Sequence, residues 1–263
     1  MKVALISMES RCGKTTFAQI LGGIYSRSQF GKYVALLTTG DCKSYLDNMN
    51  IRNLNEITNP NTLATVLNNS TDENIKQVFD YGIRQGQENV FIFNTTNEQR
   101  PEEGDKLLST CISSIPANLT IVDVQGSPLE ERNKVMINKC NVILYVLTPC
   151  LESFRAFKEY YNSLSRVQQA HIAVVVSKVD SEAISDRQIE ANIGIPSNLV
   201  TTFPYSSLIQ KYALDRNIES IPYMIYTQDV NWIKFRQKML DIMQLLFDDA
   251  GRKVIRGLDK WLR

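Results

Sequence analysis

The stretch "SMESRCGKTT" (residues 7–16) decides how this chain is read. It continues an apolar run, "KVALIS" (2–7), and leads into a helix-like pattern over 14–26. Strand, loop and helix in that order are the setting in which Gly-x-x-x-x-Gly-Lys-[Ser/Thr] cradles phosphate. N–H groups at the helix N-terminus point at the oxygens, and the helix dipole favours negative charge. Gly13, Lys14 and Thr15 supply the second half of that pattern. Lys14 is expected to reach the β- and γ-phosphates and to be catalytic, Thr15 to coordinate Mg²⁺, Thr16 to donate to the α-phosphate, and Gly13 to let the backbone come close. The front half departs from the pattern. Met8 stands at the first glycine, where a side chain resists the turn, while Glu9 and Arg11 add one charge of each sign. Arg11 would help hold phosphate; Glu9 would repel it unless turned to solvent or paired. Cys12 is read as a small filler among the nucleotide contacts, with redox regulation as the alternative.

Outward from the loop, short apolar runs alternate with longer helical patterns. Strands are expected at 2–7, 33–38, 89–94, 119–124, 141–147 and 171–177, and helices at 14–26, 60–68, 72–85, 102–114, 129–138 and 151–166. Several of the runs are apolar nearly throughout, as parallel strands covered on both faces should be. The fold class is therefore α/β, with a mostly parallel central sheet flanked by helices on both faces. The tail reads as helices at 206–214, 229–249 and 252–263. The domain expectation is one unit over 1–228, with the helices of 229–263 part of it or a membrane- or partner-binding tail.

The 263 residues can bury a sizeable core, and 43% hydrophobic with 22% charged residues is an ordinary globular balance. The formal net charge of +1 gives no global field for nucleic acid or acidic lipid. With no apolar run of about eighteen residues, nothing should span a bilayer. Five scattered cysteines suggest reduced thiols and a cytoplasmic setting.

A second landmark is "LTIVDVQGSP" (119–128). Asp123 ends an apolar strand and can hold the water shell of Mg²⁺, and the Gly126 N–H can sense a γ-phosphate, the logic of phosphoryl-transfer sites. The alternative is an aspartate capping the helix near 129. A third, "GKYVALLTTGDCKS" (31–44), runs through a strand to Asp41, and "VTTFPYSSLIQKYALDRNIESIPY" (200–223) closes the α/β part with a proline, a loop and a helix.

With these segments in this order, residues 1–225 resemble the ParA/MinD family of deviant-Walker ATPases, within the SIMIBI class of P-loop NTPases. In that family an Asp-x-Asp-Pro-Gln-like segment ends an early strand. "TGDCK" (39–43) is similar, with Asp41 at the second acid and Thr39 where the first should be. The resemblance implies bound ATP and Mg²⁺, with Asp41 placing water or metal and Pro204 and Tyr205 near the adenine. It also implies a nucleotide-dependent homodimer in which a loop lysine crosses to the partner's phosphates, together with a protein activator or cargo adaptor. Glu9 occupies that lysine's position, which puts hydrolysis in doubt more than binding. The implied activity is slow ATP hydrolysis that positions plasmid, membrane or secretion cargo, at the inner membrane face or the nucleoid. A nucleotide-binding scaffold without turnover stays open.

So does a SIMIBI-class GTPase. "VVVSKVD" (174–180) looks like the Asn/Thr-Lys-x-Asp guanine motif, with Ser177 in first place, Lys178 over the base and Asp180 accepting from the guanine edge. In the ATPase reading Ser177 instead takes the place of an adenine-contacting Asn. His171, the sole histidine, is read as packing. In "RKVIRGLDKWLR" (252–263), five basic residues accompany Val254, Ile255, Leu258, Trp261 and Leu262 at helical spacing. Such a helix suits a membrane surface or docking on protein. Lys234, Arg236 and Lys238 offer non-specific DNA contact, or only a solvated face.

Overall fold

The computed structural model describes residues 1–27, 33–49, 60–69, 75–86, 89–96, 100–180, 183–225 and 232–246; the 252–263 segment lies outside them. Its strands are β1 (Lys2–Ile6), β2 (Val34–Thr38), β3 (Ile83–Arg84), β4 (Val90–Ile92), β5 (Leu119–Asp123), β6 (Val142–Leu147), β7 (Ile172–Val179) and β8 (Val200–Pro204). They form one sheet in the order β3-β4-β2-β5-β1-β6-β7-β8, parallel throughout except for the β3–β4 pair. From β1 the chain first builds toward β2 and later toward β6. The carboxyl end of β1 is thus the place where the winding reverses and a crevice opens. The phosphate-loop stretch leaves β1 at that point.

Every residue of β2 and β5 is buried, because helices cover both faces. Successive β1 side chains serve opposite cores. Val3 and Leu5 join Phe17, Ile20 and Ile24 of α1 (Lys14–Arg27), whereas Ala4 and Ile6 join Leu107 and Leu108 of α4 (Pro101–Ser114). The remaining helices are α2 (Lys43–Asp47), α3 (Pro60–Asn69), α5 (Glu131–Ile137), α6 (Leu151–Ser163), α7 (Arg166–Gln169), α8 (Asp186–Ile193), α9 (Ser207–Leu214), α10 (Ile221–Ile225) and α11 (Ile233–Leu246). The last of these packs on β8, burying Phe235, Met239, Ile242 and Met243 in the same core as α1.

Three expectations change. The helix expected at 72–85 is a 3₁₀ turn over Ile75–Tyr81 followed by β3. Gly82 sits between them so close to β4 that a Cβ would lie 2.9 Å from Phe91 Cβ. The helix expected at 151–166 ends at Ser163, because Ser165 opens α7 with a capping box completed by Gln168. The sequence reading places no strand at β8 and no helix at α8, and the structure has both. The signals for α8 were present, in the Ser185–Gln188 capping box and in Gly194 at φ +76° closing the helix.

α1 meets α10 tightly at Gly23. A Cβ there would stand 2.3 Å from Pro222 Cγ, on a ring that cannot rotate away. At Gly22 the added methyl meets side-chain methyls of Val34, Leu36 and Val90 at 3.3–3.4 Å. Gly→Ala inside a helix gains about 1 kcal/mol in propensity, and a core clash costs about 1–3 kcal/mol. Gly23→Ala is therefore expected to lower the urea midpoint despite its better propensity, and by more than Gly22→Ala does.

Candidate functional site

The loop between β1 and α1 lines a cavity of about 770 Å³ with Met8 through Thr16, joined by Ser44, Asn48, Asp123, Gln125, Gly126 and Ser127. Its backbone strain is not where the sequence pattern places it. Met8 keeps an ordinary φ, and its N–H donates to Tyr145 Oη at 3.3 Å; the left-handed residues are Arg11 (φ +60°) and Gly13 (φ +92°). A side chain is thus accepted at the place of the first glycine. Gly13 is needed for its φ and not for space, since a Cβ there would touch nothing within 4 Å.

Thr15 Oγ1 donates to Asp123 Oδ2 at 2.6 Å, joining the first turn of α1 to the end of β5. Asp123 is fully buried, and burial raises its pKa against the opposing pull of the Thr15 hydrogen bond, the Lys14 charge and Tyr45. The Tyr45 hydroxyl interacts with the same carboxylate, yet neither it nor Asp123 Oδ1 completes a hydrogen bond of regular geometry. This arrangement fits Mg²⁺. The Thr15 hydroxyl, by giving its hydrogen to Oδ2, keeps its lone pairs for a cation, and the orphaned Oδ1 can accept from a metal-bound water. Among the described residues no cluster of three or more His, Cys, Asp or Glu gathers as a metal site. A hard cation held by one hydroxyl, one carboxylate through water and ligand phosphates is the kind of site left, and Mg²⁺ accepts such sites.

Glu9 lines the cavity, but its carboxylate is engaged. Its carboxylate accepts from the Thr148 hydroxyl at 2.6 Å and from the Thr148 N–H at 3.3 Å, beyond the end of β6. Gly126 (φ +79°) lies on the cavity wall. Its turn is held by Asn133 Nδ2, which donates to the carbonyls of Gln125 and Ser127 at 2.9 Å. Thr39 ties this turn to β2, with its hydroxyl accepting from the Gln125 N–H at 2.9 Å. Asp41 is exposed and not part of the cavity wall; its Oδ1 accepts from the Lys43 N–H at 2.9 Å, closing a local turn into α2.

A second cavity, about 280 Å³ and mostly apolar, adjoins the first across Arg11, Cys12, Gly13 and Thr16. Phe17, Ile20, Phe203, Ile209 and Ala213 line it together with Ser177, Lys178, Pro204 and Tyr205. Pairing of Val176 with Thr202 and of Val179 with Pro204 leaves one extra residue in β7, a bulge at 177–178. The bulge delivers Ser177 and Lys178 to the phosphate loop. Ser177 Oγ reaches Cys12 O at 2.8 Å and Leu147 O at 3.1 Å, and Lys178 Nζ donates to Arg11 O at 2.7 Å. Asp180 is exposed and does not line this cavity, while its carbonyl accepts from the N–H groups of Ala183 and Ile184. Tyr205 Oη donates to Gln210 Oε1 at 3.0 Å.

Sequence reading missed Tyr45, Ser44, Asn48 and Gln210. The first three sit on or just after the five-residue α2, too short for any periodicity to mark it. Among the described residues no helix is long and apolar enough to cross a membrane.

No protein-family model matches the chain, and no curated protein matches it. Solved structures do. The septum site-determining protein MinD of Pyrococcus horikoshii, complexed with Mg-ADP, superposes with TM-score 0.66 at 16% identity, over 96% of this chain and 98% of that one. A ParA-family ATPase from Chlorobium tepidum gives 0.66 at 14%, over 92% and 97%. A chain of the MinC:MinD cell division protein complex of Aquifex aeolicus gives 0.62 at 13%, over 98% and 94%. The chain has the fold of the MinD and ParA-family ATPases.

Asp123 also sets a pH dependence for the nucleotide-free protein. Its pKa is raised on folding, so the folded state binds the proton more tightly than the unfolded chain. The resulting penalty is absent below about pH 4, builds as pH climbs toward the raised folded value, and is complete above it. Asp123→Asn, which removes the charge and keeps the shape, is expected to raise the urea midpoint at pH 7, with a gain that shrinks as pH falls toward 4.

Proposed function

We propose that the chain binds Mg·ATP, hydrolyses it slowly, and self-associates with nucleotide to position a cargo through an activator or adaptor protein. The observation that carries this reading is the Thr15–Asp123 hydrogen bond at the head of the phosphate-loop cavity, with Lys14 beside it. Lys14 would hold the β- and γ-phosphates, Thr15 and Asp123 the metal, Thr16 the α-phosphate, and Gly126 would report the γ-phosphate. Cys12 and Gly13 would contribute backbone. The MinD of P. horikoshii, of like fold, is described with Mg-ADP, and a Borrelia burgdorferi partition protein (TM-score 0.56, 12% identity) with AMPPNP. These likenesses support an adenine nucleotide here.

The adjoining cavity supports adenine over guanine. Guanine recognition in the Asn/Thr-Lys-x-Asp mode needs a carboxylate facing the base, whereas Asp180 lies outside the lining and the Ser177 and Lys178 heads are engaged with loop carbonyls. Pro204 and Tyr205 would flank the base. Two observations favour a second reading, nucleotide binding without appreciable turnover. Glu9 replaces the crossing cation and is engaged with Thr148, and Asp41 is engaged in its own turn. Self-association would then rest on Arg11 or on surfaces outside the loop. Action at a membrane through 252–263, or at DNA, belongs to the same proposal.

Calorimetry with ATP, ADP, GTP and GDP, with molecular size measured in parallel, tests the reading. Lys14→Ala or Thr15→Ala should weaken Mg·ATP binding at least tenfold, and unchanged affinity in both would remove the site assignment. Phosphate release separates the two readings: slow steady release supports the ATPase, and stabilisation by ATP without release supports the scaffold.

The Glu9–Thr148 contact makes its own prediction. Thr148→Val deletes the hydroxyl donor and frees a carboxylate to face phosphate. Mg·ATP affinity should fall several-fold, and adding Glu9→Gln should restore most of it. The pair is expected to couple because the two side chains touch. Additive losses would show that Glu9 does not act through Thr148.

A further inference from the structure

Tyr45 is fully buried on α2, although Ser44, next to it, and Asn48, one turn on, face the cavity. Its hydroxyl interacts with the Asp123 carboxylate, and Tyr45 Oη and Asp123 Oδ1 are each buried without a hydrogen-bond partner. Native interiors rarely leave such atoms unpaired, and those that stay so mark a place that something else completes. A phenylalanine would fill the same volume without the orphaned oxygen, so packing alone gives no reason for the hydroxyl.

The backbone around Tyr45 is anchored on its other side. Gln19, buried in α1, donates from Nε2 to the Tyr45 carbonyl at 3.1 Å and accepts from Asn48 Nδ2 at 2.7 Å. Gln85 Nε2 in turn donates to the Gln19 carbonyl at 3.2 Å. α2 is therefore fixed to the helix that opens with Lys14 and Thr15, and its Tyr45 hydroxyl reaches the carboxylate that Thr15 also touches.

We infer that Tyr45 is a positioning residue for the metal carboxylate. With the Mg²⁺ shell in place its hydroxyl donates to Asp123 and fixes the carboxylate plane, so that α2, with Ser44 and Asn48, is held in register with metal occupancy. The inference rests on the reading of Thr15 and Asp123 as the Mg²⁺ site. Thr15 and Tyr45 would then donate to the carboxylate from two different elements. The acceptor capacity that remains on Oδ1 is directed at a metal-bound water. Loss of the tyrosine hydroxyl leaves the carboxylate held by Thr15 alone, with more freedom about its intrinsically broad terminal torsion.

The test is Tyr45→Phe in the full chain, with ATP affinity measured in Mg²⁺ and in EDTA. Amide hydrogen exchange of residues 43–49 is followed under the same conditions. The ligand-free unfolding midpoint should hold or rise. The Mg²⁺ enhancement of affinity (the ratio of the two dissociation constants) should drop at least fivefold, and Mg²⁺-dependent protection of 43–49 should disappear. A merely structural tyrosine would leave that ratio within twofold of the parent and the protection intact, and this result overturns the inference. Asp123→Asn distinguishes the two failures. If it abolishes the enhancement while Tyr45→Phe does not, only the role of Tyr45 falls; if it too leaves the enhancement intact, the metal-site reading is at fault.

Discussion

The hydrogen bond from Thr15 to Asp123 is the constraint around which the site is built. Removing a carboxylate from water costs several kcal/mol even after relaxation, and a hydrogen bond to a charged group offsets about 1.5–3 kcal/mol. Asp123 has one regular donor, so the protein alone leaves it under-compensated. Burial therefore dominates its pKa, and the nearby Lys14 charge opposes burial only in part. Such a group persists where binding supplies the missing partners, and on the proposed reading a cation with its waters would supply them. The strand order makes the strain unavoidable. β5 lies beside β1 at the centre of the sheet, so a residue at its carboxyl end faces the loop that leaves β1.

The same centrality explains what the sequence disclosed and what it did not. Runs such as "YVALLT" and "NVILYVL" are apolar because both faces are covered, and they announced β2 and β6. The phosphate loop was legible because its strand, loop and helix are contiguous. β8, at the sheet edge, carries two adjacent threonines, Thr201 and Thr202, between Val200 and Phe203, so it gave no continuous apolar run, and β3 has only two residues. Tyr45 was illegible for a different reason. It is 78 positions from Asp123 in sequence, and no local pattern encodes that meeting. Ser177 and Lys178, read from the sequence as base contacts, line the apolar cavity, and a bulge that only strand pairing exposes sends their polar heads to the loop backbone.

The departures at Met8, Glu9 and Arg11 then form one pattern. Met8 keeps an ordinary φ, and the left-handed turn falls on Arg11 instead, where the Lys178 ammonium caps the carbonyl. Glu9 is drawn to Thr148, at the β6–α6 junction, by a hydroxyl and a backbone N–H. A carboxylate bound by two donors beside a phosphate cradle repels phosphate less than a free one, so the loop can keep its anion-binding half beside this acid. The front lip is anchored through the Glu9 side chain to Thr148, just beyond β6, and the back of the loop through the Arg11 and Cys12 carbonyls to β7.

That anchoring joins the two cavities mechanically. Arg11, Cys12, Gly13 and Thr16 are walls of both, and the carbonyls of Arg11 and Cys12 are held by Lys178 and Ser177, which line the apolar side. A flat apolar group seated among Phe17, Phe203, Pro204 and Tyr205 would press on the same bulge that fixes the phosphate loop. On the proposed reading, polyphosphate and base would be read by one continuous surface with the β7 bulge between its halves. A bulge costs a strand a ladder bond and twists it sharply. Its position at the seam between the cavities, where it supplies two side chains to the loop, gives that cost a structural reason.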